Sequence, residues 1–384
     1  MLFDLYLKGN TKRTDPFINT ELLNFLNLQT FVTLLYLYAM IHNLQLYSQK
    51  DLSQFTRTRR NETKIGQEVL TISDAKKWQQ ELAILACKFV LLGIPEDIGV
   101  RANYGRGGAH TAWKPALEGF LNQQSNAFLS GKDCCVLGHI EVDDLMEKAN
   151  TLTTKTAEDI ATFRALVSEI DTRVSEVIKV ISACGKIPIV IGGGHNNAYP
   201  IIKGCSVGLA KKINVINCDP HTDFRPLEGR HSGNGFSYAY KENYIDKYAV
   251  FCMHEQYNTA QVLIDFTKDN AHLYFSTYED VFVRESKSFT TTLNQTIGFV
   301  KQNACGVEID LDAITNVPSS AKTSSGLSPV QARQYAYQCG KQLNALYFHI
   351  AEGAPILSHI KADNKTGKLI AYLISDFIKG MNDK

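Results

Sequence analysis

The sequence predicts an α/β fold in which helices cover both faces of a parallel sheet. From about residue 88 onward, short apolar runs alternate with longer amphipathic stretches. The runs are Phe89–Ile94, Cys134–Leu137, Ile187–Ile191, Ile213–Cys218, Tyr248–Cys252, Val307–Leu311 and Ala345–Ile350. Runs of this length, bounded by glycine, proline or charged residues, are typical of buried parallel strands. Their alternation with helices favours a sheet that has a helical layer on each face.

The clearest helix lies between the second and third of these runs. Apolar residues recur there at intervals of three or four, at Ile160, Phe163, Val167, Ile170, Val174, Val177 and Ile181. This spacing places them on one face of a single long helix. Gly185 and Pro188 predict the end of that helix and the start of the next strand.

The first 80 residues lack clear strand signals. We expect a mainly helical N-terminal extension over residues 1–80, followed by one domain over residues 81–384. A membrane-spanning helix needs about 20 mostly apolar residues, but polar residues interrupt the apolar stretch Leu22–Ile41. We therefore expect a buried or subunit-facing helix there. Asp4 and the lack of an Ala-x-Ala-like site argue against a signal peptide.

The composition excludes several classes of protein. The 384 residues include 40 Lys and Arg against 39 Asp and Glu, which argues against a surface that coats nucleic acid. Hydrophobic residues make up 44% of the chain, as in a folded globular protein. The nine cysteines are scattered without a CxxC pair, which indicates a reducing compartment and no disulfides. We expect a cytoplasmic protein with no nucleic-acid or membrane partner.

Imidazole and carboxylate side chains gather where three of the predicted strands end. A Gly-Gly-Gly-His run, an Asp-Pro-His-Thr-Asp run and an Asp-Leu-Asp run stand at these ends. Their candidate ligands are His195, Asp219, His221, Asp223, Asp310 and Asp312. Each motif alone is more often a helix cap or a loop residue. The chemistry of a parallel sheet, however, lies at the carboxyl ends of its strands, so the combination indicates a site.

Such a site needs a cation. Placing four carboxylates at one edge of a sheet costs several kcal/mol for each uncompensated charge. Mixed His and carboxylate ligands suit Mn²⁺ or another borderline divalent ion, and six ligands suit two ions rather than one. Cys218 precedes Asp219 but points to the opposite face of a strand, so we exclude it. Two neighbouring ions activate water for attack, which favours hydrolysis.

The order of these motifs, followed by a Glu-Gly-Ala-Pro run that begins at Glu352, resembles the arginase/ureohydrolase family. The resemblance covers roughly residues 88–384. It implies a three-layer α/β/α sandwich around a mainly parallel eight-stranded sheet, two Mn²⁺ per subunit, and assembly as a homo-oligomer, either a trimer or a hexamer. Gly194 stands where the family pattern has Asp. The resemblance implies that the loss of this Asp weakens or alters metal binding.

The resemblance also implies a role for each site residue. His195 and Asp223 would bind one manganese and His221 the other. Asp219, Asp310 and Asp312 would be shared by the two ions. Asp223 would also hold the attacking water. The same resemblance implies three further roles. Glu352 would pair with the amidine or guanidine of the substrate, His231 would donate a proton to the leaving nitrogen, and Asn234 would bind substrate. Proton transfer suits an imidazole that titrates near neutrality.

The loop after the first strand resembles that of formimidoylglutamases, a branch of the same family. It contains Arg101 and Arg106, and Arg225 follows the ligand Asp223 by two residues. Guanidinium groups pair bidentately with carboxylates, so these arginines are candidates for binding a substrate carboxylate. The alternative is that Arg101 or Arg106 pairs with a structural acid such as Glu96 or Asp97, or with backbone carbonyls.

These observations imply a manganese-dependent hydrolase that acts on a small amidine or guanidine. The formimidoylglutamase resemblance favours conversion of N-formimidoyl-L-glutamate to L-glutamate and formamide, a step of histidine degradation. A guanidino-acid hydrolase that releases urea is the alternative within the family. A non-catalytic protein that keeps the fold is the alternative from a different class.

Overall fold

The computed structural model describes residues 43–358 and 364–384. In this part of the chain, strands form a single mixed sheet. The strands are β1 (Leu44–Leu46), β2 (Phe89–Gly93), β3 (Cys134–Ile140), β4 (Ile187–Ile191), β5 (Ile213–Cys218), β6 (Ile245–Met253), β7 (Leu273–Thr277), β8 (Cys305–Asp310) and β9 (Ala345–Ala351). Their order across the sheet is β1-β3-β2-β4-β9-β8-β5-β6-β7.

Among the strands of residues 43–358 and 364–384, β2 to β9 pair in parallel, whereas β1 pairs antiparallel with β3. The predicted α/β fold with a mainly parallel sheet is confirmed. The sheet has nine strands rather than the expected eight, because β1 adds a short antiparallel strand at one edge.

The helices follow the alternation that the sequence predicts. They are α1 (Gln49–Ser53), α2 (Ile65–Glu68), α3 (Trp78–Ile84), α4 (Ile98–Ala102), α5 (Trp113–Leu121), α6 (Asp143–Ala149), α7 (Ala157–Ala183), α8 (Ala198–Gly208), α9 (Gly235–Lys241), α10 (Ala260–Lys268), α11 (Tyr278–Phe282), α12 (Phe289–Val300), α13 (Pro329–Gln342) and α14 (Lys365–Asn382). The long amphipathic helix predicted around residues 160–181 is α7. Thr156 caps its first turn, and Gly185 follows its end with a positive φ of 69°.

Helices pack against both faces of the sheet. On one face, Phe348 of β9 stacks on Phe377 of α14, with the ring centroids 4.6 Å apart. Tyr347 precedes Phe348 in the same strand and therefore points to the other face. There it lies close to Cys205 of α8. The sheet is thus the middle of three layers.

All seven apolar runs that the sequence singled out are strands. The sequence did not indicate β1 or β7. The first has three residues, and Ser276 and Thr277 interrupt the apolar character of the second. Pro188 is the second residue of β4, so it lies at the start of the strand as expected.

The segment that we expected to be mainly helical contributes β1 to the sheet edge. The division into two domains stays a prediction, and the apolar stretch Leu22–Ile41 lies outside the described residues. Within residues 43–358 and 364–384, every helix is too short or too polar to cross a bilayer. All nine cysteines lie in the described residues as free thiols.

Candidate metal centre and substrate pocket

Four neighbouring strands bring the sequence motifs to one edge of the sheet. The strands β4, β9, β8 and β5 are adjacent in that order. His195, Glu352, Asp310 and Asp219 lie at or just beyond their respective carboxyl ends. Residues far apart in sequence therefore meet at one place, as the parallel arrangement predicts.

The first ligand group contains His195, Asp219, Asp223 and Asp310, whose ligand atoms all lie within 4.8 Å of one another. Nδ1 of His195 is 3.0 Å from Oδ2 of Asp219, 3.1 Å from Oδ2 of Asp223 and 3.3 Å from Oδ2 of Asp310. This nitrogen is buried and makes no hydrogen bond. A nitrogen surrounded by oxygens in this way is suited to share a cation with them.

The second group contains His221, Asp310 and Asp312. Nδ1 of His221 also lies 3.3 Å from Oδ1 of Asp219. Asp219 and Asp310 therefore lie between the two groups, as shared ligands would. Asp312 belongs to the second group alone, so it is placed at one predicted ion rather than between both.

The spacing of the motifs explains how the carboxylates are aimed. Oδ1 of Asp219 accepts a hydrogen bond from the backbone N–H of His221 at 2.7 Å. Oδ1 of Asp310 accepts one from the N–H of Asp312 at 2.6 Å. An Asp that caps the N–H two residues later forms a tight local turn. Each turn leaves the other carboxylate oxygen of its Asp directed at the ligand group.

The charge balance of this centre fits a divalent cation. Burial and the charges of Asp312 and Asp219 raise the pKa of Asp310 well above its usual value. Burial and the charge of Asp219 also raise the pKa of Asp223. Burial opposes a charge on His195, yet its carboxylate neighbours raise its pKa. Buried carboxylates that repel one another in this way require a counter-charge, and the nitrogen and oxygen donors suit manganese.

Glu96 holds the loop where Gly194 replaces the family's Asp. A Cβ on Gly194 would lie 2.5 Å from Oδ1 of Asn196, so the loop has no room for a larger side chain. The buried carboxylate of Glu96 accepts hydrogen bonds from the N–H of Gly194 at 2.9 Å and from the amide of Asn197 at 2.6 Å. Sequence reasoning had considered Glu96 only as a possible partner for an arginine.

A cavity of about 210 Å³ opens onto the metal centre, and Asp223, Arg225, Tyr257 and Glu352 are among the residues that line it. Oε1 of Glu352 accepts a hydrogen bond from the backbone N–H of His195 at 2.9 Å. Its Oε2 is buried without a partner. Burial, followed by nearby aspartate charges, raises the pKa of Glu352 well above its usual value. The free oxygen is therefore suited to a cationic group of a ligand.

Of the three candidate arginines, only Arg225 lines this cavity. Its Nη1 donates to Oδ1 of Asn103 at 3.2 Å. Within the described residues it forms no ion pair, so most of its guanidinium is available to a ligand. The predicted role of Arg225 in binding a carboxylate is compatible with this position.

The structure places Arg101 and Arg106 in other contacts. Nε of Arg101 lies 3.0 Å from Oδ1 of Asp97, and its guanidinium lies over the ring of Phe163 at 5.1 Å. Arg101 thus pairs with a structural acid, which was the alternative. Arg106 is exposed, and its Nη2 donates to the backbone carbonyl of Ser320 at 2.9 Å. Neither side chain lines the cavity.

His231 is also misplaced for its predicted role. Its side chain is wholly buried and does not line the cavity. Nδ1 accepts a hydrogen bond from the N–H of Gly233 at 3.1 Å, and Nε2 lies 3.1 Å from Oε1 of Glu228. Burial is the main factor that lowers the pKa of His231, to about 4. It caps a short turn outside the cavity, so its role in proton transfer stays a prediction that this position does not favour.

Asn234 has a structural role in the same loop rather than one in substrate binding. Its Oδ1 accepts hydrogen bonds from Nη1 of Arg230 at 2.6 Å and from the backbone N–H of His231 at 3.1 Å. Its amide nitrogen donates to the carbonyl of Gly229 at 2.8 Å. Asn234 is fully buried and lies outside the cavity lining, so the structure does not bring it to the position of a substrate contact.

The low pKa of His231 predicts a pH-dependent stability. An unfolded imidazole titrates near 6.5, whereas folded His231 titrates near 4. The unfolded chain therefore binds the proton first as the pH falls. The free energy of unfolding should drop by on the order of 3 kcal/mol between about pH 6.5 and pH 4. Urea unfolding of the metal-free protein at several pH values measures this. In the His231→Gln variant, the free energy of unfolding should depend less on pH than in wild type. If the two pH dependences run parallel, the low pKa of His231 is contradicted.

Sequence reasoning missed Glu308 and His349, which are buried behind His195. Glu308 precedes Asp310 by two residues in β8, so both side chains point to the same face of the sheet. The alternation of side chains along β8 was the sequence signal that could have identified Glu308.

Comparison with known proteins agrees with this geometry. The sequence model of the Arginase family matches residues 87–379. A formimidoylglutamase from Streptococcus gordonii is 28% identical over 74% of this chain and 82% of its own length. The structure resembles formimidoylglutamase from Bacillus subtilis, with a TM-score of 0.67 and 17% identity over 85% of this chain and 94% of that one. It also resembles Trypanosoma cruzi formiminoglutamase with Mn²⁺, with a TM-score of 0.62 and 19% identity over 84% of this chain and 99% of that one. The motif order, the converging ligand groups and the family match together establish that the chain belongs to the arginase family.

Proposed function

We propose that this protein hydrolyses N-formimidoyl-L-glutamate to L-glutamate and formamide, in a manganese-dependent reaction. The observation that carries the proposal is the pairing of two free groups in one cavity. Glu352 offers an unpartnered carboxylate oxygen, and Arg225 offers a guanidinium without an acid. An amidine that also bears a carboxylate matches both. The similarity to the formimidoylglutamase from Streptococcus gordonii supports the same substrate.

The two ligand groups would hold two Mn²⁺ per subunit. His195 and Asp223 would bind one ion, His221 and Asp312 would bind the other, and Asp219 and Asp310 would be shared. When bound, a pair of such ions supplies Lewis-acid chemistry that lowers the pKa of water and makes it nucleophilic near neutral pH.

Glu352 would recognise the amidine. Its Oε1 is fixed by the N–H of His195 at 2.9 Å, so the free Oε2 is held in one direction. Because the carboxylate is buried among aspartates, a cationic amidinium supplies a counter-charge that its surroundings lack. A charge-assisted hydrogen bond in such a site is stronger than a neutral one.

Arg225 would bind a carboxylate of the glutamate part. Asn103 holds one guanidinium nitrogen and leaves the others free to pair with two oxygens. Agmatine has no carboxylate, so this contact favours an acidic substrate over an amine.

Asp223 would transfer a proton from the attacking water to the leaving nitrogen. It lines the cavity, as Asp310 of the same group does, and it precedes Arg225 by two residues. Its carboxylate can accept a proton from water and pass it to the leaving nitrogen, since both lie within the same cavity. This assignment replaces the one made for His231, which lies outside the cavity.

The remaining properties stay predictions. We propose a homo-oligomer in the cytoplasm, in which the described part of the chain forms the catalytic domain. The scattered free cysteines support a reducing compartment.

A substrate panel with product identification tests the proposed function. The purified protein, loaded with Mn²⁺, would be assayed with N-formimidoyl-L-glutamate, a guanidino acid and agmatine. We expect glutamate and formamide in equal amounts from the first and little turnover of the others. Urea from the guanidino acid as the faster reaction would overturn the substrate assignment. A protein with no turnover and no stoichiometric Mn²⁺ would support the non-catalytic alternative. The Glu352→Gln variant serves as the low-activity control.

A further inference from the structure

A fully buried acid lies behind the metal centre. Glu308 of β8 is directly opposite His349 in the neighbouring strand β9. Tyr347 lies two residues earlier on the same face of β9. All three side chains are buried, and none lines the cavity that opens onto the metal centre. They therefore cannot touch the substrate.

The Glu308 carboxylate contacts three side chains. Its Oε1 accepts a hydrogen bond from the hydroxyl of Tyr347 at 2.7 Å. Its Oε2 lies 2.6 Å from Nδ1 of His349. The same Oε2 lies 3.4 Å from Nε2 of His195. The oxygen that faces the ring of His195 is therefore the one that contacts His349, and Tyr347 holds the other oxygen.

The contact matters because His195 must expose the correct nitrogen. Its Nδ1 faces the oxygens of Asp219, Asp223 and Asp310, where the first ion would bind. A neutral imidazole that binds an ion through Nδ1 carries its hydrogen on Nε2. Nε2 forms no hydrogen bond in the structure, but Oε2 of Glu308 lies 3.4 Å from it, and a carboxylate oxygen at that distance favours a hydrogen on Nε2 over a lone pair.

We propose that Glu308 is a positioning residue for the metal centre. It selects the tautomer of His195 in which Nδ1 is free for the ion, and it fixes the orientation of the ring. This inference rests on the metal centre of the proposed function, but not on the identity of the substrate. Partners of metal-binding imidazoles affect metal affinity by about 10- to 100-fold.

The Glu308→Gln variant tests this proposal. Its amide group can turn an N–H towards Nε2 of His195, which would favour the tautomer with the hydrogen on Nδ1. We expect Mn²⁺ titration to show about 10- to 100-fold weaker binding at one of the two sites. Nitrogen NMR of the metal-free protein should show the change of tautomer directly. A purely structural role would leave the tautomer unchanged.

Tyr347→Phe is the matched control. It removes a hydrogen bond to the same carboxylate, but from Oε1, which does not face His195. We expect Mn²⁺ affinity within about threefold of wild type. If Glu308→Gln does not fold, Glu308→Asp keeps the acid but withdraws it by one methylene, and weaker binding is again expected.

Two results would overturn the proposal: unchanged Mn²⁺ affinity and tautomer in the folded Glu308 variants, or an equal loss in Tyr347→Phe. Failure of the proposed function is distinguishable. Two Mn²⁺ in wild type without turnover of formimidoylglutamate would reject the substrate and leave the role of Glu308 standing. If wild type binds no Mn²⁺, the metal centre itself is rejected, and the tautomer of His195 in the metal-free protein still decides what Glu308 does.

Discussion

The Asp310→Asn variant is expected to lose catalysis and the binding of both metal ions. Asp310 is the residue that the first and second ligand groups have in common. Truncating one member of a buried charge pair costs about 2–5 kcal/mol, and here the charge serves two ions. We therefore expect kcat/KM to fall by about 1,000-fold or more, which corresponds to about 4 kcal/mol. Steady-state kinetics and metal analysis of the dialysed protein measure the two losses.

Asp312→Asn is the matched control for this variant, because Asp312 belongs to the second group alone. It should keep about one ion per subunit at the His195 group. The melting temperature of the metal-free Asp310→Asn protein should not fall, since burial and neighbouring charges raise the pKa of Asp310 and its ionised form disfavours folding. Two bound ions with activity near wild type would show that Asp310 is not a shared ligand.

The Arg225→Leu variant should lose activity selectively towards an acidic substrate. If Arg225 pairs with a substrate carboxylate, its removal leaves that charge without a partner in the cavity. Because Arg225 is exposed in the substrate-free structure, the expected loss in kcat/KM is about 10- to 150-fold, from a cost of about 1.5–3 kcal/mol for a hydrogen bond to a charged group. The kcat/KM for an uncharged amidine of similar length should fall little, because that compound has no carboxylate to pair with the arginine. Kinetics with both compounds measure the difference.

Arg101→Leu provides the contrast. Arg101 pairs with Asp97 and packs on Phe163, so its loss should lower the melting temperature without changing the preference between the two amidines. If Arg225→Leu weakens the reaction of both amidines equally, the guanidinium does not recognise the carboxylate. The assignment of an acidic substrate would then depend on similarity to formimidoylglutamases alone.

The metal ligands were predictable because their positions follow from strand direction. His195, Asp219 and Asp310 each come at the end of an apolar run, and parallel strands bring such ends to one edge. The spacing of Asp219 and His221 also encodes the local turn that aims the carboxylate. Local sequence therefore carries most of the information for this part of the site.

The roles of the arginines and of His231 depend on contacts that local sequence does not encode. Arg101 donates to the carbonyl of Ala149, 48 residues away. Arg106 is bound to Ser320, 214 residues away. The proximity of His231 to the ligand motif gave no information on its burial, which sets its protonation state. Such long-range contacts become visible only when the packed loops are known.

The antiparallel strand β1 bears on how the protein can be shortened. The sequence suggests residue 81 as a natural point of truncation, yet residues Leu44–Leu46 cover the outer edge of β3. The hydroxyl of Tyr47 also accepts a hydrogen bond from the indole of the buried Trp113 at 3.3 Å. A chain cut at residue 81 would present β3 as an uncovered edge, with backbone groups free to pair with another molecule. Strand β1 thus protects the edge of the sheet from self-association. A shortened form that keeps residues from 43 onward would retain that protection.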